Sequence, residues 1–365
     1  PTPHMGLKMK DVKACWTSYF FYVLIKTKNI SVSAEKTKTV SIMLRAIERK
    51  PKVKVLRHPS REKPTMQTHS LSLNGHDFFV RSWGQPHLPK LILLHGFPEY
   101  SGAWDDLAPE LSGMFHCIAP DQRGYGQSWA PSDVGEYTLS KLVSDIVALI
   151  NTDLVGGGQV AVMGHDWGAS VAYGIAMFHP EHVNRLIIAN GVHPVPFQRE
   201  LAKGSAQSEA SQYINFIKSN TSPEALAADD FAKMTRLFSA KMDTRWLIGE
   251  RLEAYKTEWG REGRLRGMTN WYRASPLKVA DVGVPIDVLP ALPLEKLKVH
   301  CDHLLIWGMN DTALLPQTTQ ELEDHCAQLK RVEIEDADHW ILHQKPVEVA
   351  DTIIDWVIGD DFYIP

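Results

Sequence analysis

Cysteine is scarce in this 365-residue chain: Cys15, Cys117, Cys301 and Cys326 lie far apart, and no CxxC pair occurs. That spacing argues against a disulfide framework and against a zinc site, and it fits a reducing cytoplasm. No sign of charge dominates either. With 39 Lys and Arg against 43 Asp and Glu, the net charge of −4 offers no basic face for nucleic acid or anionic lipid. Long apolar runs are missing as well. The longest near the start, Trp16 to Ile25, spans ten residues between Lys8, Lys10, Lys13 and Lys26, Lys28. A bilayer span takes roughly 20 apolar residues, so no membrane span is expected. A secretory signal with small residues at Val32-Ser33-Ala34 is the alternative for this stretch, but the polar Lys26 to Asn29 segment interrupts it. Pro1 to Met5 reads as expression-derived, and residues 1–65 as an extension or expression-derived segment with no fold of its own.

What is present is an alternation of strands and helices. Leu71-Ser72-Leu73, Asn74-Gly75 and Phe78-Phe79-Val80 predict a hairpin, with Asn-Gly supplying the tight turn. Apolar strands are expected at Lys90–Leu94, Phe115–Ala119, Gln159–Met163 and Val183–Ala189. Leu139, Leu142, Val143, Ile146, Val147 and Ile150 fall on one face of a helix, and Ala169–Phe178 forms another. Strands that are apolar throughout belong to a mostly parallel sheet covered on both faces. The alternation stops between 195 and 292, where the chain reads as helical and rich in aromatics. It resumes with strand His303–Trp307, helix Gln317–Leu329, strand Arg331–Ile334 and a helix opened by Pro346. The expected organisation is therefore an α/β core in two parts, 66–194 and 293–365, with a helical cap at 195–292.

Gly164-His165-Asp166-Trp167-Gly168 lies between a strand and a helix. This is the G-x-nucleophile-x-G elbow with aspartate in place of serine. Flanking glycines are required because side chains there would strike the neighbouring strand and helix. Alone the pentapeptide is weak, since two glycines around an aspartate occur in ordinary turns. Three further placements strengthen it. His95-Gly96-Phe97-Pro98 follows an earlier strand, Asp311 follows Trp307-Gly308, and His339 follows the next strand. Nucleophile, acid and histidine occur in that chain order, each at the carboxyl end of a strand. Taken singly, Asp311 is as well explained as a turn aspartate and His339 as a surface histidine. His343 competes with His339 but sits within the approach to a helix.

These motifs resemble those of the epoxide hydrolases of the α/β-hydrolase superfamily, with haloalkane dehalogenases as the nearest cousins. The resemblance rests on His95-Gly96-Phe97-Pro98-Glu99, Asp121 to Ser128 (Asp-Gln-Arg-Gly-Tyr-Gly-Gln-Ser), the Asp166 elbow and Asn270-Trp271-Tyr272-Arg273. It covers the chain from about Met66 onward. It implies an α/β-hydrolase fold and a covalent ester on Asp166, hydrolysed by water that His339 activates with Asp311 behind it. It also implies an oxyanion hole from the N–H groups of Phe97 and Trp167, and two cap tyrosines as proton donors. Tyr272 matches one donor; Tyr213 is chosen for the second, with Tyr255 as the alternative. A carboxylate suits saturated carbon because its ester can be cleaved by water, whereas a serine would form a stable ether. Neither cofactor nor metal is required. The expected partner is a small apolar epoxide, and the state of assembly is left open, a homodimer included.

Two other readings stand beside this one. A dehalogenase would use the same Asp166, His339 and Asp311, and Trp167 occurs there as a halide holder, but Phe97 brings no side-chain donor. A non-catalytic ligand binder on the same fold is the third. Asp121 to Ser128 reads as structural, with Arg123 anchoring the loop. Trp246, Trp259 and Trp271 line an apolar pocket or form the core of the cap.

Overall fold

The computed structural model describes residues 65–239, 241–289 and 293–361, all within the unit Glu62–Pro365. The Trp16–Ile25 run and the Val32-Ser33-Ala34 site lie outside the described residues. Eight strands form one sheet: β1 (Gln67–Leu73), β2 (His76–Trp83), β3 (Lys90–Leu94), β4 (His116–Pro120), β5 (Val160–His165), β6 (Val183–Ala189), β7 (Val299–Gly308) and β8 (Cys326–Ile334). Their spatial order is β1-β2-β4-β3-β5-β6-β7-β8. β2 is antiparallel to both neighbours and the remaining pairs are parallel. Asn74 and Gly75 turn the first hairpin with φ of 52° and 81°, the left-handed pair that an Asn-Gly turn takes.

The parallel strands are apolar on both sides because both sides are covered. Ile92 and Leu94 face a core shared with α2 (Leu139–Ile150) and α3 (Trp167–Phe178). Leu91 and Leu93 face the opposite core, closed by α1 (Ala108–Leu111) and by α11 (Pro346–Asp361) at the far end of the chain. Each such side chain is fully buried and contributes about 1.5–3 kcal/mol. α2 carries the expected apolar stripe, except that Asp145 is also buried on it. Its carboxylate takes both arms of Arg123, at 2.7 and 2.8 Å, so Arg123 anchors the Asp121–Ser128 loop to α2. Asp121 ties that loop to the one after β3 by accepting from Ser101 N–H and Gln127 N–H, each at 2.8 Å.

Between β6 and β7 lie six helices: α4 (Pro194–Ala202), α5 (Ala206–Ala210), α6 (Gln212–Ile217), α7 (Ser222–Ser239), α8 (Glu250–Trp259) and α9 (Arg264–Ala274). α7 is broken at Ala228–Phe231, where three consecutive residues take positive φ. The expected helix at Gln317–Leu329 does not form. β8 begins already at Cys326, paired with Val299 of β7, and residues 316–325 make two single 3₁₀ turns instead. Their apolar residues are too few to cover a helix face, whereas Cys326 and Leu329 gain a full ladder with β7. The short α10 (Ile341–Gln344) precedes α11.

α3 is held over the sheet by Tyr173, whose ring lies edge-on to His193 and to His303, at 5.1 and 5.4 Å. Burial pushes both imidazoles down to about 3, with a second histidine nearby adding repulsion in each case. Unfolded histidine takes its proton near 6.5, so the unfolded state binds more protons between 6.5 and 3. Stability is therefore complete above 6.5 and falls with pH below it, by about 2 kcal/mol per ring at pH 5. His303→Asn is expected to shrink the drop in Tm between pH 7 and pH 5. An equal drop in both proteins would remove these rings as the source of acid sensitivity.

Candidate active site

Asp166 follows β5 directly and takes the N-cap position of α3 with φ 50° and ψ −121°, a conformation unfavourable for a residue with a Cβ. Packing imposes it. The turn brings α3 so near β3 that a Cβ on Gly168 would stand 2.0 Å from the Leu94 carbonyl oxygen. Gly96 is constrained from the other direction: its Cβ would meet the Asp166 Cβ at 2.3 Å. That close approach lets Phe97 N–H donate to Asp166 Oδ1 at 2.7 Å, and Trp167 N–H also bears on the carboxylate.

His339 stands on the loop after β8, with Nε2 3.6 Å from Asp166 Oδ2. Its Nδ1–H donates to Asp311 Oδ2 at 2.8 Å. Asp311 is fixed in turn by Ala313 N–H and Leu314 N–H on Oδ1 and by the Asn190 amide on Oδ2, each at 2.8 Å. Asp166, His339 and Asp311 are thus brought together as the sequence motifs anticipate. Burial raises the Asp166 carboxyl above its ordinary range, an effect offset in part by His339. Burial also works against charge on His339, but Asp311 and then Asp166 outweigh it and lift the ring to about 9. Asp311 is buried too, yet the charge and hydrogen bond of His339 hold it below its ordinary value.

A cavity opens beside Asp166, lined by Trp167, Ser170, Val192, Phe197, Tyr213, Ile214, Tyr272, Leu277 and Leu314. Tyr213, from α6, and Tyr272, from α9, therefore share this cavity with Asp166, and the Tyr272 hydroxyl bears on that of Tyr213. Burial raises both phenols well above their usual value, so they keep their protons. Tyr255 is elsewhere. Its hydroxyl donates to Glu99 Oε1 at 2.8 Å, outside the cavity lining. His343 is likewise committed to Glu99, by Nε2–H at 2.7 Å, and stacks on Trp246 at 3.6 Å. Trp259 and Trp271 are buried and donate to the backbone carbonyls of Pro98 and Arg123, at 2.7 and 2.9 Å. None of the three tryptophans lines the cavity, so of the two expectations for them, packing holds. They join the inserted helices to the loops of the sheet.

Two features escape a reading of the sequence. Asn190 has φ 37°, donates to Asp311, and accepts from Gly308 N–H at 2.7 Å, pinning the acid loop to the end of β6. Its only sequence signal is its place one residue beyond an apolar strand. Glu99 is fully buried among His165, His343 and Tyr255, and His343 and His165 hold its carboxyl well below the ordinary range despite burial. His165 passes this support on by donating Nε2–H to the His339 carbonyl at 2.8 Å. Among the described residues, no group of three or more His, Cys, Asp or Glu is arranged to hold a metal ion, and no helix is long and apolar enough to cross a membrane.

Comparison with known proteins agrees with this fold. Residues 89–346 match the family model described as alpha/beta hydrolase fold. A solved structure described as a novel epoxide hydrolase of that superfamily, from metagenomes of hot environments, is 34% identical; the alignment covers 81% of this chain and 98% of that one, with a TM-score of 0.69. The chain belongs to the epoxide hydrolase family of the α/β-hydrolase superfamily. It is also similar to the AB hydrolase superfamily protein YfhM of Bacillus subtilis (strain 168), 31% identical over 79% of this chain and 96% of that protein. Epoxide hydrolase 4 of Mus musculus is 29% identical over 78% of this chain and 77% of its own length.

Asn190→Ala would leave a buried carboxylate oxygen and a buried N–H without their amide partner, costing about 1–3 kcal/mol. The urea midpoint should fall accordingly with the m-value retained. An unchanged midpoint would mean that Asn190 does not hold the acid loop.

Proposed function

We propose that this protein opens an epoxide to a vicinal diol through a covalent ester on Asp166. The observation that carries this reading is the shared cavity in which Asp166, Tyr213 and Tyr272 meet. Asp166 Oδ1 is engaged by the Phe97 N–H, which leaves Oδ2 as the attacking oxygen. Oδ2 attacks one ring carbon, and the new ester C–O bond forms as the ring C–O bond to the epoxide oxygen breaks. The departing alkoxide is strongly basic, and a tyrosine hydroxyl hands it a proton while the second phenol holds the oxygen by hydrogen bonding.

His339 then takes a proton from water, and the hydroxide adds to the Asp166 carbonyl carbon. The oxyanion forms at Oδ1, where the Phe97 N–H donates, with the Trp167 N–H also bearing on the carboxylate. Collapse expels the diol's oxygen, to which the imidazolium returns its proton. Asp166, left as the acid by the added hydroxide, releases one proton to solvent and the tyrosinate takes one up, which restores both groups. Asp311 keeps the imidazole oriented and balances its charge throughout. The inserted helices act as the cap that supplies both phenols. The halide reading is weaker, because the Trp167 indole N–H, which would have to be offered to a halide, bears on the Tyr272 hydroxyl.

Incubation with styrene oxide and with a long-chain aliphatic epoxide is expected to give diol with the native protein and none with Asp166→Ala. His339→Gln should still be alkylated and should gain the mass of one epoxide by intact-protein mass spectrometry. Halide released from bromoalkanes without any diol from epoxides would overturn the reading.

The pH profile follows from charge. His339 acts in hydrolysis only when neutral, and its resting value of about 9 reflects two carboxylates beside it. Esterification removes the charge of Asp166, so the ring releases its proton more readily in the intermediate. Where hydrolysis limits turnover, kcat should rise with pH to a plateau, with its midpoint below 9. A midpoint at or above 9 would show that the ester leaves His339 unaffected.

A further inference from the structure

Ser170 is the one polar residue of the cavity that the proposed mechanism does not use. It stands on α3 one turn beyond Asp166, half-buried, and lines the cavity together with Val192, Phe197, Ile214, Leu277 and Leu314. Its hydroxyl makes no hydrogen bond with the described residues, whereas Ser208, Ser211 and Ser222 in the inserted region are all engaged. A hydroxyl offers one donor and two acceptor positions. Left facing apolar groups it favours any ligand atom that can pair with it, and it penalises one that cannot.

We infer that Ser170 makes the cavity selective for epoxides that carry an oxygen two or three bonds from the attacked carbon, such as glycidyl ethers. This rests on the reading of Asp166 as the nucleophile. One helical turn advances about 5.4 Å, so a substrate carbon seated on Asp166 Oδ2 has its second or third neighbouring atom opposite Ser170. An ether oxygen there accepts the Ser170 hydroxyl, and a methylene there leaves it unpaired. Discrimination of this kind, by a site group that an analogue leaves without a partner, exceeds what an apolar wall achieves against a near-isostere. The five apolar residues then take the hydrocarbon remainder of the molecule.

The test compares phenyl glycidyl ether with 4-phenyl-1,2-epoxybutane, which differ by one oxygen in place of a methylene. The kcat/KM ratio, ether over carbon analogue, is measured for the native protein, Ser170→Ala and Ser170→Thr. Because each ratio is taken on one preparation, loss of folded protein cancels. The ratio should favour the ether in the native protein, fall at least five-fold in Ser170→Ala, and be largely restored in Ser170→Thr. A native protein that hydrolyses both substrates, with the same ratio in Ser170→Ala, overturns the role of Ser170 alone. Absence of diol from both substrates with the native protein overturns the assignment of the reaction, and this inference with it.

Discussion

A carboxylate held in a largely dry pocket is the constraint around which the rest of the structure is arranged. Removing Asp166 from water is costly unless something replaces its hydration. Replacement comes from the Phe97 N–H on Oδ1, from the Trp167 N–H, and from His339 beside Oδ2. Those partners can reach it only because the elbow is tight, and the elbow is tight only because positions 96 and 168 have no Cβ. The strained backbone at Asp166 is thus maintained by the sheet on one side and by α3 on the other, both fixed by apolar burial.

Support continues outward in two directions. Behind His339, Asp311 is held by its own loop N–H groups and by Asn190, so the acid lies where the end of β6 meets the loop after β7. Behind β5, the charge of Glu99 is met by His165, His343 and Tyr255, which come from the elbow, α10 and α8. The second set joins the inserted helices to the core. Arg251 adds a bidentate pair to Asp106, at 2.7 and 2.9 Å, and the Trp340 indole donates to the Phe238 carbonyl at 2.9 Å. Contacts of this number and polarity fix how α6 and α9 present their phenols to the sheet.

Much of this architecture is legible in the order of the amino acids. Short-range patterns carry the strands, because a residue buried on both faces of a sheet must be apolar at successive positions; Leu91 to Leu94 is the plainest instance. The elbow is legible because its glycines answer to local clashes, and the order of Asp166, Asp311 and His339 because each follows a strand. Where the local pattern misleads, the deciding partner is distant. Leu322, Cys326 and Leu329 fall at helical spacing, but the stretch before Cys326 has no further apolar residue to complete a face, and Cys326 and Leu329 pair with Val299 and His303 of β7 and are drawn into β8. Nothing near Tyr213 or Tyr255 in sequence tells which one turns toward Asp166; Glu99, 156 positions away from Tyr255, takes the latter.

By itself, then, the sequence determined the alternating α/β architecture, the elbow that carries Asp166 with Asp311 and His339 each after a later strand, and the insertion after β6, since apolar periodicity and glycine placement are local properties. Tertiary structure alone decided that the tryptophans bind the helices to the core, that Asn190 and Glu99 support the site, and that Tyr213 and Tyr272 share a cavity with Ser170. These are relations between segments far apart in the chain, and a hydrogen bond or a cavity wall exists only once both of its sides have been folded into place.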